Sequence, residues 1–209
     1  MMRINLLKTS PDRAGRYWVT FDDGSKMAFY RQTVEDFGLY SGMELTDDQM
    51  AALTKAAGQW SAKMRAVRIV SASSVSQKDL EQRLVHKGED PRQAKAAVAW
   101  MSELNLVDDR QTAEHIVSRC VSKGYGLARA KQMLFEKRIP KDLWNEVLAD
   151  YPEQIDKITE YLRSRLDDTS DERDRKRAID ALMRRGHSYS HIRQAMNRLM
   201  LNTDDFLEE

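Results

Sequence analysis

The chain has 209 residues, 34 Lys and Arg against 33 Asp and Glu, a hydrophobic share of 41% and one cysteine. That length buries a sizeable core, the apolar share excludes a disordered chain, and no run approaches the ~18–20 apolar residues of a membrane span. One cysteine excludes an internal disulfide and fits a reducing compartment; with no apolar secretory core in the first fifteen residues, a cytoplasmic protein is expected.

In chain order, Ile4, Leu6 and Leu7 suggest a first strand. Tyr17–Phe21 and Lys26–Tyr30 flank Asp22-Asp23-Gly24-Ser25, and aromatic and β-branched runs around Asp-Gly predict a hairpin. An isolated hairpin is marginal in water, so this one is expected to dock on helices or on a partner. Thr33–Phe37 reads as one helical turn and Gly38–Gly42 as a loop. Thr46 caps a helix predicted to run to about Trp60.

From Met64 onward the pattern is helical, and it repeats. Leu84, Leu134 and Leu182 stand in register, and each is followed by a basic corner: His86-Lys87-Gly88, Lys137-Arg138-Ile139 and Arg184-Arg185-Gly186. At common offsets beyond them lie Ala94, Ala97, Val98 and Met101, then Trp144, Val147, Leu148 and Tyr151, then Ile192, Ala195, Met196 and Leu199. The i, i+3, i+4, i+7 spacing predicts that each unit ends in a helix with one buried face. Ser76 and Gly126 mark the start of the middle helix in the first two units, and a position near Thr169–Asp171 marks it in the third. Arg138 stands where the other units have Gly88 and Gly186, so a different corner geometry is expected there; Pro140 suits the first turn of the next helix.

The expected fold is therefore mainly α: three tandem three-helix repeats forming an elongated curved body, preceded by a small N-terminal β-hairpin module. The divisions are a hairpin and helix module over 1–60, repeats over 61–108, 109–156 and 157–201, and an acidic tail over 202–209.

No phosphate-binding loop or dinucleotide fingerprint is present, and no catalytic constellation or metal set emerges, so an enzyme is not expected and no cofactor or metal is assigned. Cys120 falls on the apolar stripe of its helix (Ala113, Ile116, Val117, Val121) and reads as a buried structural thiol. His187 precedes the helix that Ser188 caps, so its four-residue spacing from His191 does not make a metal pair. The acidic pairs Asp108-Asp109, Asp167-Asp168 and Asp204-Asp205 read as helix caps or solvated ends. Trp100 lies off the apolar stripe and is expected to be covered by a neighbouring unit.

The charge is unevenly placed. Residues 1–60 carry 7 basic against 8 acidic side chains, residues 61–201 carry 27 against 21, and the tail adds four acids. A basic body favours an anionic partner. The candidate contacts are basic residues at the corners: Arg83, Lys87 and Arg92 in the first unit, with Arg65 and Arg68 before them. In the second they are Arg119, Lys123, Tyr125, Arg129, Lys131, Lys137 and Arg138, and in the third Arg184 and Arg185. Such side chains bind phosphates or pair with the carboxylates of a protein.

The run Leu106-Val107-Asp108-Asp109-Arg110, followed by Ala113-Glu114, Arg119 and Lys123-Gly124-Tyr125-Gly126, resembles the RecX family of regulatory proteins. So do Gln77–Leu84 with Lys87-Gly88, the N-terminal hairpin, and Leu39–Leu45. The resemblance spans about residues 1–201 and is strongest from Arg65 to Leu148. It departs at Gln111-Thr112, where an aromatic is usual, and at Arg138. It implies a non-enzymatic modulator of the RecA recombinase. Such a protein lies in the groove of the RecA–single-stranded DNA filament and modulates, most often inhibits, ATPase, strand exchange and co-protease activity in recombination, repair and the SOS response. The implied partner is the RecA filament, with single- or double-stranded DNA as a further one. No membrane and no small-molecule substrate is expected, and the state expected is a monomer. A direct DNA-binding helical-repeat protein is the other reading that the basic corners leave open.

Overall fold

In the computed structural model, which describes residues 1–10, 15–167 and 170–204, the chain is mainly helical with a small antiparallel sheet at its N-terminal end. It divides into two units, Met1–Val107 and Asp108–Glu209. Asp168, Thr169 and the acidic tail beyond Asp204 lie outside the described residues.

The predicted hairpin is part of a larger sheet. Strands β1 (Met2–Thr9), β2 (Arg16–Phe21), β3 (Lys26–Tyr30) and β4 (Glu44–Leu45) are ordered β3-β2-β1-β4, each pair antiparallel. The turn between β2 and β3 closes when the Asp23 carboxylate accepts from the Ser25 N–H at 2.8 Å. Period-two alternation turns Ile4, Val19, Phe21 and Phe29 inward, where all four are fully buried, and leaves Trp18 outward and 46% exposed. The inward face packs on helix α1 (Arg31–Asp36) and on the start of α2 (Asp47–Ala72), with Leu45 and Leu53 completing the core.

Thr46 caps α2 as predicted: its side chain accepts from Gln49 N–H while the Gln49 side chain accepts from Thr46 N–H. The helix does not stop near Trp60, however, but runs to Ala72. Its sequence explains this, since the residues after Gly58 are rich in Ala, Lys, Met and Arg and no proline occurs between Gly58 and Pro91. Its first half closes the sheet core through Leu53. Its second half buries Ala62 and Ala66 against α3 (Gln77–His86) and α4 (Pro91–Glu103). Ala94, Ala97, Val98 and Met101 fill that core as expected. Trp100 is covered differently from expectation: it packs on its own unit's core, with Lys63 Nζ 5.0 Å from its ring centre.

The second unit contains α5 (Asp109–Ser122), α6 (Leu127–Glu136), a 3-10 turn (Lys141–Leu143) leading into α7 (Trp144–Val147), then α8 (Ile155–Arg163), α9 (Glu172–Arg184) and α10 (Tyr189–Asp204). Asp108, Asp171 and Ser188 cap α5, α9 and α10 through side-chain oxygens. The expected long helix over Trp144–Tyr151 is cut to a single turn. Pro152 pushes Tyr151 out of helical backbone, and Asn145 and Asp150 are weak helix formers. Trp144, Val147, Leu148 and Tyr151 are consequently only half-buried. Cys120 is fully buried as expected, its Sγ 3.4 Å from Met133 Sδ, and burial raises its thiol pKa.

The corner at Arg138 does not use a different geometry. Its φ is +55°, in the same left-handed region as Gly88 at +90° and Gly186 at +86°. All three corners close with one pair of backbone bonds: Gly88 N–H to Val85 O and Glu89 N–H to Leu84 O; Arg138 N–H to Phe135 O and Ile139 N–H to Leu134 O; Gly186 N–H to Met183 O and His187 N–H to Leu182 O. The bonds that end the helix outweigh the side-chain strain.

Gly186 carries a second constraint. Gly126 N–H donates to Arg185 O at 2.9 Å and Ala128 N–H to Gly186 O at 3.2 Å, so the start of α6 is capped by the end of α9. A methyl on Gly126 would overlap the Gly186 carbonyl, and one on Gly186 would overlap the Arg129 N–H. A methyl on Gly88 would meet nothing within 4 Å among the described residues.

Three substitutions therefore separate two effects. Gly88→Ala should cost only the left-handed strain, ~1–2 kcal/mol, and Gly186→Ala that strain plus ~1–3 kcal/mol of overlap. Arg138→Gly should stabilise by roughly 1 kcal/mol. Urea unfolding of the three variants checks the order; equal costs at Gly88 and Gly186 would refute the close approach.

Candidate anion-binding clefts

The groups that position the second-unit cleft are backbone carbonyls first. Tyr125 O accepts from Tyr151 Oη at 2.6 Å and from Gln154 Nε2 at 2.7 Å. Gly124 O lies 2.9 Å from His187 Nε2, and Lys157 Nζ donates to Val121 O at 2.6 Å and Ser122 O at 3.3 Å. The carbonyls left over at the end of α5 are thereby satisfied by side chains from α8 and from the segments before α8 and α10. Burial pushes the Tyr151 hydroxyl up to about 12, so it stays a donor.

This corner sets Tyr125 beside Arg129 on α6, Tyr161 on α8, and Ala181, Arg184 and Arg185 at the end of α9, around a cleft of about 370 Å³. Arg185 lies over Tyr161, its Cζ 4.5 Å from the ring centre. Stacking fixes the guanidinium plane while leaving its edge able to donate. Arg129 reaches Glu136 only at 3.6 Å, and no ion pair with a carboxylate is found for Arg184 or Arg185 among the described residues. Three guanidiniums and two phenol rings around one concavity suit a phosphate or carboxylate.

The first unit has its own basic cleft, about 350 Å³, lined by Arg65, Arg68, Ile69, Ala72, Ser73, Arg83 and Lys87. Part of its charge is neutralised locally. Arg65 Nε pairs with the buried Glu89 at 2.6 Å and Arg83 with the buried Asp79 at 2.9 Å.

Of the residues singled out by sequence, the second-unit cleft gathers Tyr125, Arg129, Arg184 and Arg185, and the first-unit cleft gathers Arg83 and Lys87. Arg92, Arg119, Lys123 and Lys131 line neither, and Lys137 and Arg138 also lie outside them. Tyr161 was missed. Its only sequence signal is a ring at the edge of the stripe formed by Ile155, Ile158, Thr159 and Leu162. Among the described residues no group of three or more His, Cys, Asp or Glu is placed to hold a metal, and no helix is long and apolar enough to cross a membrane.

The chain is 26% identical over 214 residues to the regulatory protein RecX of Clostridioides difficile, a match covering 98% of this chain and 97% of the relative. It is 26% identical to that of Vibrio parahaemolyticus over 66% of this chain and 90% of the relative, and 28% identical to that of Chlorobaculum tepidum over 67% and 89%. The chain is similar to the RecX family of regulatory proteins, in one relative along nearly its whole length. No family model matches it. Two solved structures share the fold of this chain. A crystal structure of regulatory protein RecX covers 94% of this chain and 100% of its own at a TM-score of 0.65 and 20% identity. RecX from Lactobacillus salivarius covers 70% and 99% at 0.61 and 21%.

His187, which holds the Gly124 carbonyl, predicts a pH dependence of stability. The side chain is 4% exposed, Nε2–H donates to Gly124 O, and Nδ1 has no hydrogen-bond partner among the described residues. Burial lowers its pKa against the opposing pull of the bond to Gly124 O, and nearby Arg185 and His191 lower it further. A depressed folded pKa means that stability is full above the unfolded value of ~6.5 and declines as pH falls from there through the folded value. Between pH 7.5 and 5.5 the wild type should lose stability with a slope of at most ~1.4 kcal/mol per pH unit, and His187→Gln should flatten it. Parallel slopes in urea melts of the two proteins would refute a neutral buried His187.

Proposed function

We propose that this chain is a non-enzymatic regulator that binds the RecA–single-stranded DNA filament, lies in its groove, and lowers RecA ATPase, strand exchange and co-protease activity. The observation that carries the reading is the end-to-end match to proteins named regulatory protein RecX, which covers 98% of this chain. The two basic clefts support it, because a filament groove presents carboxylates and phosphates to whatever lies in it. The perturbed groups also fit a binding protein. Cys120, Tyr151 and His187 are each engaged in packing or in holding a backbone carbonyl. We read the described helices as three three-helix repeats, which places one basic cleft in the first and the other between elements of the second and third. The second reading, a direct DNA-binding repeat protein, is favoured by the three arginines of the second-unit cleft, which suit a phosphate equally well.

The test is RecA's single-stranded-DNA-dependent ATPase, titrated with this protein at substoichiometric ratios, beside binding to the same DNA without RecA. A fall in rate at a few molecules per filament is the expected result. Arg129→Glu/Arg184→Glu should raise the concentration needed by about tenfold or more, the scale of an interface hot spot. Lys131→Glu, outside the cleft, should change it by roughly threefold at most. An unchanged rate together with tight, salt-sensitive binding to bare DNA would replace the filament reading with the DNA-binding one.

A further inference from the structure

The outward face of the N-terminal sheet lines neither basic cleft, yet it continues one of them. Strand register sets it out in rows. Lys8 stands opposite Trp18, which stands opposite Ala28; Leu6 stands opposite Thr20, which stands opposite Lys26; and Arg16 stands opposite Tyr30. Trp18 is 46% exposed at the centre, with small Ala28 on one side and the flexible stem of Lys8 on the other. These rows hold three cations and no carboxylate. Among the described residues, acids follow at the β2–β3 turn (Asp22 and Asp23) and on β4, where Glu44 faces Arg3.

Tyr30 joins this face to the first-unit cleft. Its hydroxyl accepts from Arg16 at 2.6 Å and from Arg68 at 2.8 Å, and Arg16 lies over its ring with Cζ 4.4 Å from the centre. Because the phenol is neutral, both guanidiniums are oriented without being neutralised. Arg68 in turn lines the cleft with Lys87, whose acids are taken up by Arg65 and Arg83.

We infer that the first unit carries a binding track for single-stranded nucleic acid, running from Trp18 over the Arg16–Tyr30–Arg68 relay into the cleft at Lys87. The chemistry selects a single strand. An exposed indole on a pleated face offers a stacking surface to an unpaired base, whereas a duplex keeps its bases stacked on one another. The cations on either side meet a phosphate chain that passes across the strands. This track is independent of the RecA reading, since each can fail while the other stands.

The test uses the full chain without RecA and a fluorescein-labelled dT20 oligonucleotide, read by anisotropy. Wild type should bind dT20 more tightly than a 20-bp duplex. Trp18→Ala should weaken dT20 binding by about tenfold, within the range for removing one base stack, and leave the salt slope unchanged. Trp18→Phe should restore most of the affinity. Lys8→Gln/Lys26→Gln should instead flatten the salt slope by roughly 0.7 for each phosphate that is no longer neutralised. Three results would overturn the track: equal binding of duplex and dT20, wild-type affinity in Trp18→Ala, or equal weakening in the Phe and Ala variants at unchanged circular dichroism. Binding of poly-glutamate as tight as that of dT20 would also overturn it, in favour of an acidic protein partner.

Discussion

The close approach of Gly126 and Gly186 governs the second unit. Two backbone hydrogen bonds join the start of α6 to the end of α9, at a separation that no side chain at either glycine permits. Because that approach holds, Arg185 is brought over Tyr161, Arg129 and Arg184 share one cleft, and His187 comes under the Gly124 carbonyl. Elements some 60 residues apart are thus locked by main-chain atoms, which are less forgiving than a hydrophobic seam: a seam repacks after substitution, whereas a carbonyl capping a helix start has one position.

Carboxylate placement distinguishes the two clefts. In the first unit, buried Asp79 and Glu89 hold Arg83 and Arg65, so those arginines shape the cleft more than they charge it. In the second, aromatic stacking does the orienting, and stacking leaves the positive charge in place. Tyr30 orients Arg16 and Arg68 in the same neutral way. In both places a tyrosine positions a cation that stays charged.

Much of the architecture was legible in the sequence. The Asp-Gly turn, the Thr46, Asp108 and Ser76 caps and the leucine register located most elements, because each depends on residues within one or two turns. Where local signals compete with packing, they misled. Trp60 looked like an end because sequence offers no view of the bundle that takes up Ala62 and Ala66. Arg138 looked incompatible with a left-handed corner because its side-chain strain is visible in the sequence, whereas the compensating backbone bonds to Phe135 and Leu134 leave no mark there. Single residues of the clefts could be read as basic corners, but their grouping was not readable. Which arginine meets which tyrosine depends on helix packing, and Tyr161 carries no mark in its own segment.

Helix α2 spans 26 residues, about 39 Å at 1.5 Å per residue, and serves two cores in turn. It is the ceiling over the sheet at Leu53 and a wall of the helical bundle at Ala62 and Ala66. A rod shared in this way acts as a lever. A force applied to the sheet is delivered to the bundle without a flexible joint, so the N-terminal module cannot swing while α2 stays intact. Anything that grips Trp18 also holds Lys87 in register with it.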